Sequence, residues 1–169
     1  MSSEKYKAMA AQQVTCRSTT VGDVDGIFRL VNLMAESGQM LRRSKFWIVT
    51  MLANFTVAES KNGELAGCGA LFPLWTDSAE IVALAVQPHF QGAGVGKQLV
   101  AELLERARSQ GFPEVIALTR AVDFFSQLGF SVQPKDKFPR KLWRECLECP
   151  RLENCDETAM SIRLVEAAD

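Results

Sequence analysis

The stretch Leu84–Leu104, "LAVQPHFQGAGVGKQLVAELL", constrains the fold more than any other part of the chain. An apolar run ends at Pro88, glycines follow at 92, 94 and 96, and an amphipathic pattern then begins. Glycine permits positive φ and close approach of a ligand to the backbone. A helix start offers N–H groups without intrahelical acceptors and the positive end of a dipole. A strand, a bare loop and a helix N-terminus in that order make a site for phosphate or pyrophosphate. A tight strand-to-helix turn with spare glycines is the plainer alternative.

The spacing separates the phosphate motifs. A Walker A loop needs Gly where this chain has Gln91, and Ser or Thr where it has Gln98. A dinucleotide fingerprint starting at Gly92 needs a third Gly where Lys97 stands. It also belongs after the first strand of a domain, whereas this loop follows about the fourth. What remains is Gln91-Gly92-Ala93-Gly94-Val95-Gly96, a Q-x-x-G-x-G pattern between an apolar strand and a helix.

The rest of the chain reads as an α+β domain. "VTCRS" predicts a strand, and Val24, Ile27, Phe28, Val31 and Met34 recur at helical spacing after it. Thr20 with Asp23 forms a capping-box pattern with Asp in place of Glu, and Gly38 ends the helix. "SKFWIVTML" predicts a short helix. "FTVAES", "ELAGCGALFPLW" and "SAEIVALAVQP" predict three successive strands with turns such as "KNG". Leu99, Val100, Leu103, Leu104 and Ala107 share one face of the next helix, which Gly111 stops. "EVIALT" predicts a buried strand, "AVDFFSQLG" a short helix closed by Gly129, and "FSVQ" and "TAMSIRLVEA" further strands.

The 169 residues suffice for one domain with a sizeable core. We expect residues 1–13 to be a flexible lead-in without an apolar signal core, and 14–169 to be a single domain. The net charge of -1 implies no broad basic field for nucleic acid or acidic lipid. No apolar run nears the length that spans a bilayer. Five cysteines, an odd number in a chain that needs no staples, point to free thiols and a reducing cytoplasm.

The Q-x-x-G-x-G pattern after Val-x-Pro resembles the acyl-CoA pyrophosphate loop of the GNAT acetyltransferases. The resemblance runs from about Val14 to Val165, taking in "AGCGAL" before the loop and "AVDFFSQLGF" after it. It implies a three-layer fold with a mixed, splayed central sheet flanked by helices, and acetyl-CoA as co-substrate. It further implies that Leu84 and Val86 supply backbone groups to thioester and pantetheine. Gln91, Gly92, Ala93, Gly94, Val95, Gly96 and Lys97 would surround the pyrophosphate. Many members of the family dimerise, so a homodimer is the matching expectation.

Four segments are similar to one subgroup, the N-acetylglutamate synthases in the form lacking a kinase-like domain. They are "GQMLRRS", "GCGALFPLWTDSAEIVALAVQP", "ALTRAVDFFSQLGF" and the long, unusual "FPRKLWRECLECPRLENCDETAM". This resemblance implies acetyl transfer to the α-amino group of L-glutamate, the first step toward arginine. Glutamate brings two carboxylates, which need cationic partners in a cleft. Arg43 and Lys141 match basic positions of the subgroup; a solvated surface charge is the plain reading of each. Arg17, Arg42, Arg120 and Arg140 stand in reserve.

An amine attacks a thioester only when neutral, and a free amino acid amine is mostly protonated near pH 7. A base is therefore expected, and Glu80 matches the family's base position, acting through a water. An ordinary strand-edge acid is its structural alternative. A strand N–H, that of Leu84 or Ala85, would hold the oxyanion. Many GNAT enzymes carry a Tyr acid where this chain has Phe125, and its single tyrosine is Tyr6. A thiolate leaves well without such an acid, and Thr119 or a water could assist. Phe124 and Phe125 then read as packing residues.

Cys146, Cys149 and Cys155 give C-x2-C-x5-C, a spacing that can hold zinc or an iron–sulfur cluster, with Asp156, Cys16, Cys68 or His89 completing it. The resemblance covers these cysteines without implying a metal, and we expect none to be required. Two other functions fit the same motifs: acetylation of another small amine or amino acid such as glutamine, and a non-catalytic acyl-CoA-binding regulatory domain.

Overall fold

The computed structural model describes residues 14–139, 146–147 and 149–164. Their elements are β1 (Val14–Ser18), α1 (Val24–Glu36), α2 (Lys45–Thr50), β2 (Phe55–Ser60), β3 (Leu65–Pro73) and β4 (Ser78–Val86). After these come α3 (Val95–Ser109), β5 (Glu114–Thr119), α4 (Val122–Ser126), β6 (Ser131–Val132) and β7 (Thr158–Arg163). The strands make one mixed sheet in the order β1-β2-β3-β4-β5-β7-β6. β4 and β5 run parallel, while β1–β2, β2–β3, β5–β7 and β6–β7 are antiparallel. The α+β class and the mixed sheet expected from the sequence are present.

The chain packs as two compact units. One holds residues 14–71 together with Val82–Glu105. Its helix α1 buries Val24, Ile27, Leu30, Val31 and Met34, as the helical spacing requires. Phe28, expected on that face, is only half-buried. The capping-box signal at its start is real. Asp23 accepts from the Thr20 N–H at 2.7 Å, closing a short 3-10 turn that leads into α1. Arg17 of β1 donates to both oxygens of Asp23 at 2.9 Å and to Glu59 of β2 at 3.0 Å. Phe55, Val57, Ala58, Leu99 and Leu103 are fully buried; sequestering each of the larger ones stabilises the fold by about 1.5–3 kcal/mol. The "KNG" turn between β2 and β3 works because Gly63 takes φ 79.

The other unit holds Phe72–Ile81 and the described residues from Arg106 on. β4 pairs with β5 through Ser78↔Glu114, Ala79↔Val115 and Glu80↔Ile116, so this register covers only the start of β4. β5 then pairs with β7 along its whole length, from Glu114↔Arg163 to Thr119↔Thr158. The strand expected at "FSVQ" shrinks to Ser131–Val132, because Pro134 has no N–H to extend the ladder. Phe125 packs edge-on against Phe124 and Phe130, with both ring centroids at 5.1 Å.

Candidate functional site

The glycine loop is held by its non-glycine residues. Ala93 and Val95 are buried with Phe90, Leu99, Ala58 and Ala66, and Leu84 and Val86 pack on the same cluster. The alternating residues are free to carry the turn: Gly92 has φ 75 and Gly94 φ 86. A Cβ built on Gly94 meets nothing within 4 Å, so its conformation, not crowding, calls for glycine. Gln98 N–H donates to Gly94 O at 3.1 Å, which makes Gly94 the residue before the first helical turn. By helix geometry the N–H groups of Val95, Gly96 and Lys97 then lack intrahelical acceptors. An anion finds there both donors and the positive dipole end. Lys97 is exposed. Gln91 has a different first duty: its amide donates to Val86 O at 3.0 Å and ties the loop back to β4.

Two features beside the loop carry no obvious sequence signal. Ala83, inside β4, has φ 51. A left-handed residue inside a strand rotates the peptide after it, the one bearing the Leu84 N–H, out of the regular alternation. A glycine there would have announced the kink; an alanine in "IVALAV" does not. Cys68 of β3 braces it, donating its thiol to Ala83 O at 3.7 Å. Burial pushes the Cys68 thiol up to about 12, against a smaller opposing effect of the Ala85 N–H, so it is a structural thiol. The glycines of "AGCGAL" explain themselves by proximity. A Cβ on Gly67 would lie 2.9 Å from Ala85 O, and one on Gly69 3.1 Å from both Leu84 and Leu103.

In the same unit, Arg43 stands before α2 with its guanidinium 4.2 Å above the Trp47 ring. Its main chain is gripped by Asn32 of α1, which donates to Arg43 O at 2.9 Å and accepts from Arg43 N–H at 3.2 Å. The sequence pattern did not single out Asn32; its only signal is an amide set among the apolar residues of α1. The reserve arginines are engaged elsewhere. Arg17 serves Asp23 and Glu59, Arg42 meets Glu36 at 3.3 Å, and Arg120 holds Asp156 at 2.8 Å. Lys141, Arg140 and Tyr6 lie outside the described residues.

In the other unit, Glu80 is buried, 2% exposed, opposite Ile116. Thr119 lies three residues beyond Ile116 on β5, about 10 Å along the strand. Its hydroxyl accepts from the Ala121 N–H at 2.9 Å, turning the chain into α4. Phe125 is packed as expected. Ile116, Leu118, Phe138, Cys146, Leu152 and Cys155 are among the walls of a cavity of about 310 Å³. Cys16, Cys68, Cys146, Cys149 and Cys155 are free thiols, and His89 pairs with Glu64 at 2.8 Å. Among the described residues no group of His, Cys, Asp and Glu is assembled to hold a metal ion, and no helix is long and apolar enough to cross a membrane.

Comparison with known proteins sharpens this picture. Residues 29–130 match the acetyltransferase (GNAT) family. An uncharacterized N-acetyltransferase of Chlorobaculum tepidum is 36% identical over 152 residues, covering 90% of this chain and 97% of that protein. The amino-acid acetyltransferase of Shewanella oneidensis is 32% identical over 127 residues, which is 74% of this chain but 28% of that longer protein. Among solved structures, N-acetylglutamate synthase of Neisseria gonorrhoeae, complexed with coenzyme A and N-acetyl-glutamate, superimposes with a TM-score of 0.78 at 28% identity. That alignment covers 90% of this chain and 35% of the synthase.

Proposed function

The chain belongs to the GNAT acetyltransferase family and is an acetyl-CoA-dependent N-acetyltransferase domain, and on that premise we propose that its acceptor is the α-amino group of L-glutamate. The observation that carries the acceptor is Arg43: a main chain clamped by Asn32 and a guanidinium stacked on Trp47 make a fixed cation for a carboxylate. The relatives that act on amino acids support the same class. Lys141 takes the second carboxylate.

The pyrophosphate of acetyl-CoA lies against residues 91–97, where left-handed Gly92 and Gly94 bare the backbone before α3. Glu80, through a water, removes a proton from the acceptor ammonium. The neutral nitrogen attacks the thioester carbonyl carbon, and the Leu84 N–H, which follows left-handed Ala83, holds the oxyanion. The C–S bond breaks, the amide forms, and CoA leaves as thiolate. The second proton leaving the nitrogen passes by Thr119 or a water to the CoA thiolate, and Glu80 releases the first to solvent. The free thiols fit a reducing compartment, the cytoplasm. A homodimer remains part of the proposal.

The test is thiol release from acetyl-CoA with a panel of amino acids, run on the parent and on Glu80→Gln. Glutamate should exceed glutamine as substrate, since the amide cannot use a cation. Glu80→Gln should cut turnover by about two to four powers of ten, with the deficit shrinking as pH rises and free amine accumulates. Equal use of glutamine overturns the acceptor. A pH-independent loss, or none, assigns Glu80 a structural role.

A further inference from the structure

Asn32 lies in α1 and is only 8% exposed. Asparagine is a weak helix former, and its amide is costly to bury unless its hydrogen bonds are met. Here both donors and the acceptor are used. Nδ2 donates to Phe28 O at 2.9 Å, one turn back, and to Arg43 O at 2.9 Å. Oδ1 accepts from the Arg43 N–H at 3.2 Å, so one buried side chain holds both main-chain polar groups of a residue 11 positions away.

The side chain of Arg43 is held by a second device. Its Cζ sits 4.2 Å from the Trp47 ring centroid. Trp47 in turn meets the fully buried Phe55 edge-on at 6.0 Å, and its N–H is capped by Ser44 Oγ at 3.1 Å. Stacking engages the flat face of the guanidinium and leaves its edge, where the N–H donors lie, to polar partners. Rotamer freedom that a loose arginine would lose on binding is therefore already lost on folding.

We infer that Asn32 and Trp47 are positioning residues that set the Arg43 guanidinium for an acceptor carboxylate. This rests on the reading of Arg43 as a carboxylate partner. Neither residue touches the acceptor; each acts through Arg43, one on its main chain and one on its side chain.

The experiment is steady-state kinetics of the full chain with glutamate varied at saturating acetyl-CoA. Arg43→Ala should raise the KM for glutamate about ten- to a hundredfold. Trp47→Leu should raise it about three- to thirtyfold, and Trp47→Phe, which keeps a ring face, should recover most of that loss. Asn32→Ala should raise it about tenfold. The KM for acetyl-CoA should stay within about twofold of the parent. Combined with Arg43→Ala, neither Trp47→Leu nor Asn32→Ala should add a further rise, because both act through the missing guanidinium. If Arg43→Ala leaves the glutamate KM unchanged, or the parent does not acetylate glutamate, the acceptor reading falls and the inference with it. If Arg43→Ala raises KM but Trp47→Leu does not, or raises it equally without Arg43, the inference alone is overturned. Should Asn32→Ala fail to fold, the Trp47 pair and its phenylalanine rescue decide the matter.

Discussion

The glycine loop at 91–97 and the arginine corner at 42–47 belong to the same unit and are built in opposite ways. In the loop, the side chains of Ala93 and Val95 go into the core and the main chain is the part proposed to meet the ligand. In the corner, the main chain of Arg43 is consumed by Asn32 and the side chain is the part proposed to bind. A backbone site is specified by what must be absent, namely Cβ atoms at Gly92 and Gly94, where φ is 75 and 86. A side-chain site is specified by what must be present, including partners remote in sequence. Added carbon should therefore damage the first, and lost contacts the second.

The largest effect expected from this contrast is at Gly94. Valine at φ 86 is strained, at a cost of about 1–3 kcal/mol, even though the space around it is open. The loop can escape the strain by leaving its conformation while Ala93 and Val95 keep it anchored. Gly94→Val should accordingly weaken acetyl-CoA binding about ten- to a hundredfold by calorimetry, with the fold retained. Unchanged affinity would break the comparison, since the loop would then not be the backbone site.

A smaller effect separates Arg17 from Arg43. Arg17 is spent on Asp23 and Glu59, so its role is stability. Hydrogen bonds from Arg17, aided by the Thr20 N–H, hold the Asp23 carboxyl down at about 2, against an ordinary 3.8. A depressed folded-state value stabilises above the unfolded one and is lost as pH falls through the folded one. The contribution, on the order of 1–2 kcal/mol after screening of the half-exposed Arg17, should be complete above about pH 4 and disappear toward about pH 2. Asp23→Asn should remove that segment of the acid-unfolding curve and leave the glutamate KM alone. A changed KM would show that Arg17 serves the acceptor after all.

The same contrast explains what the sequence discloses. Q-x-x-G-x-G was legible because glycine spacing encodes φ directly and a helical pattern follows it. The elements from Val14 to Thr119 were legible because their apolar periods are local. The Ala83 kink was not, since an alanine hides a left-handed residue that Cys68, fifteen positions earlier, helps to hold. The Asn32 clamp was not, because its partner is 11 residues away and α1 reads as an ordinary amphipathic helix around it. "FSVQ" predicts a longer strand than forms, because its pattern carries no trace of the N–H missing at Pro134. Lys141, carried by resemblance alone, lies outside the described residues.

The smallest expected effect is at Arg42, and it is the sharpest control. Arg42 and Arg43 are adjacent in "LRRS" and chemically identical, so composition cannot tell them apart. Their surroundings do. The Arg42 side chain is 67% exposed, and its partner Glu36 is 61% exposed at 3.3 Å. An ion pair so open to water gains little, because solvent screens it and two long side chains must be ordered to make it. Arg43 has its main chain fixed by a buried amide and its guanidinium stacked on a ring that leans on the core. Arg42→Ala should therefore shift stability by less than about 0.5 kcal/mol in urea unfolding and the glutamate KM by less than about twofold. Measured beside Arg43→Ala, it asks whether the corner works by preorganisation or by net positive charge. If the two variants raise KM equally, the carboxylate is drawn by the summed field of both arginines, and the distinction between a fixed and a solvated cation fails at this site.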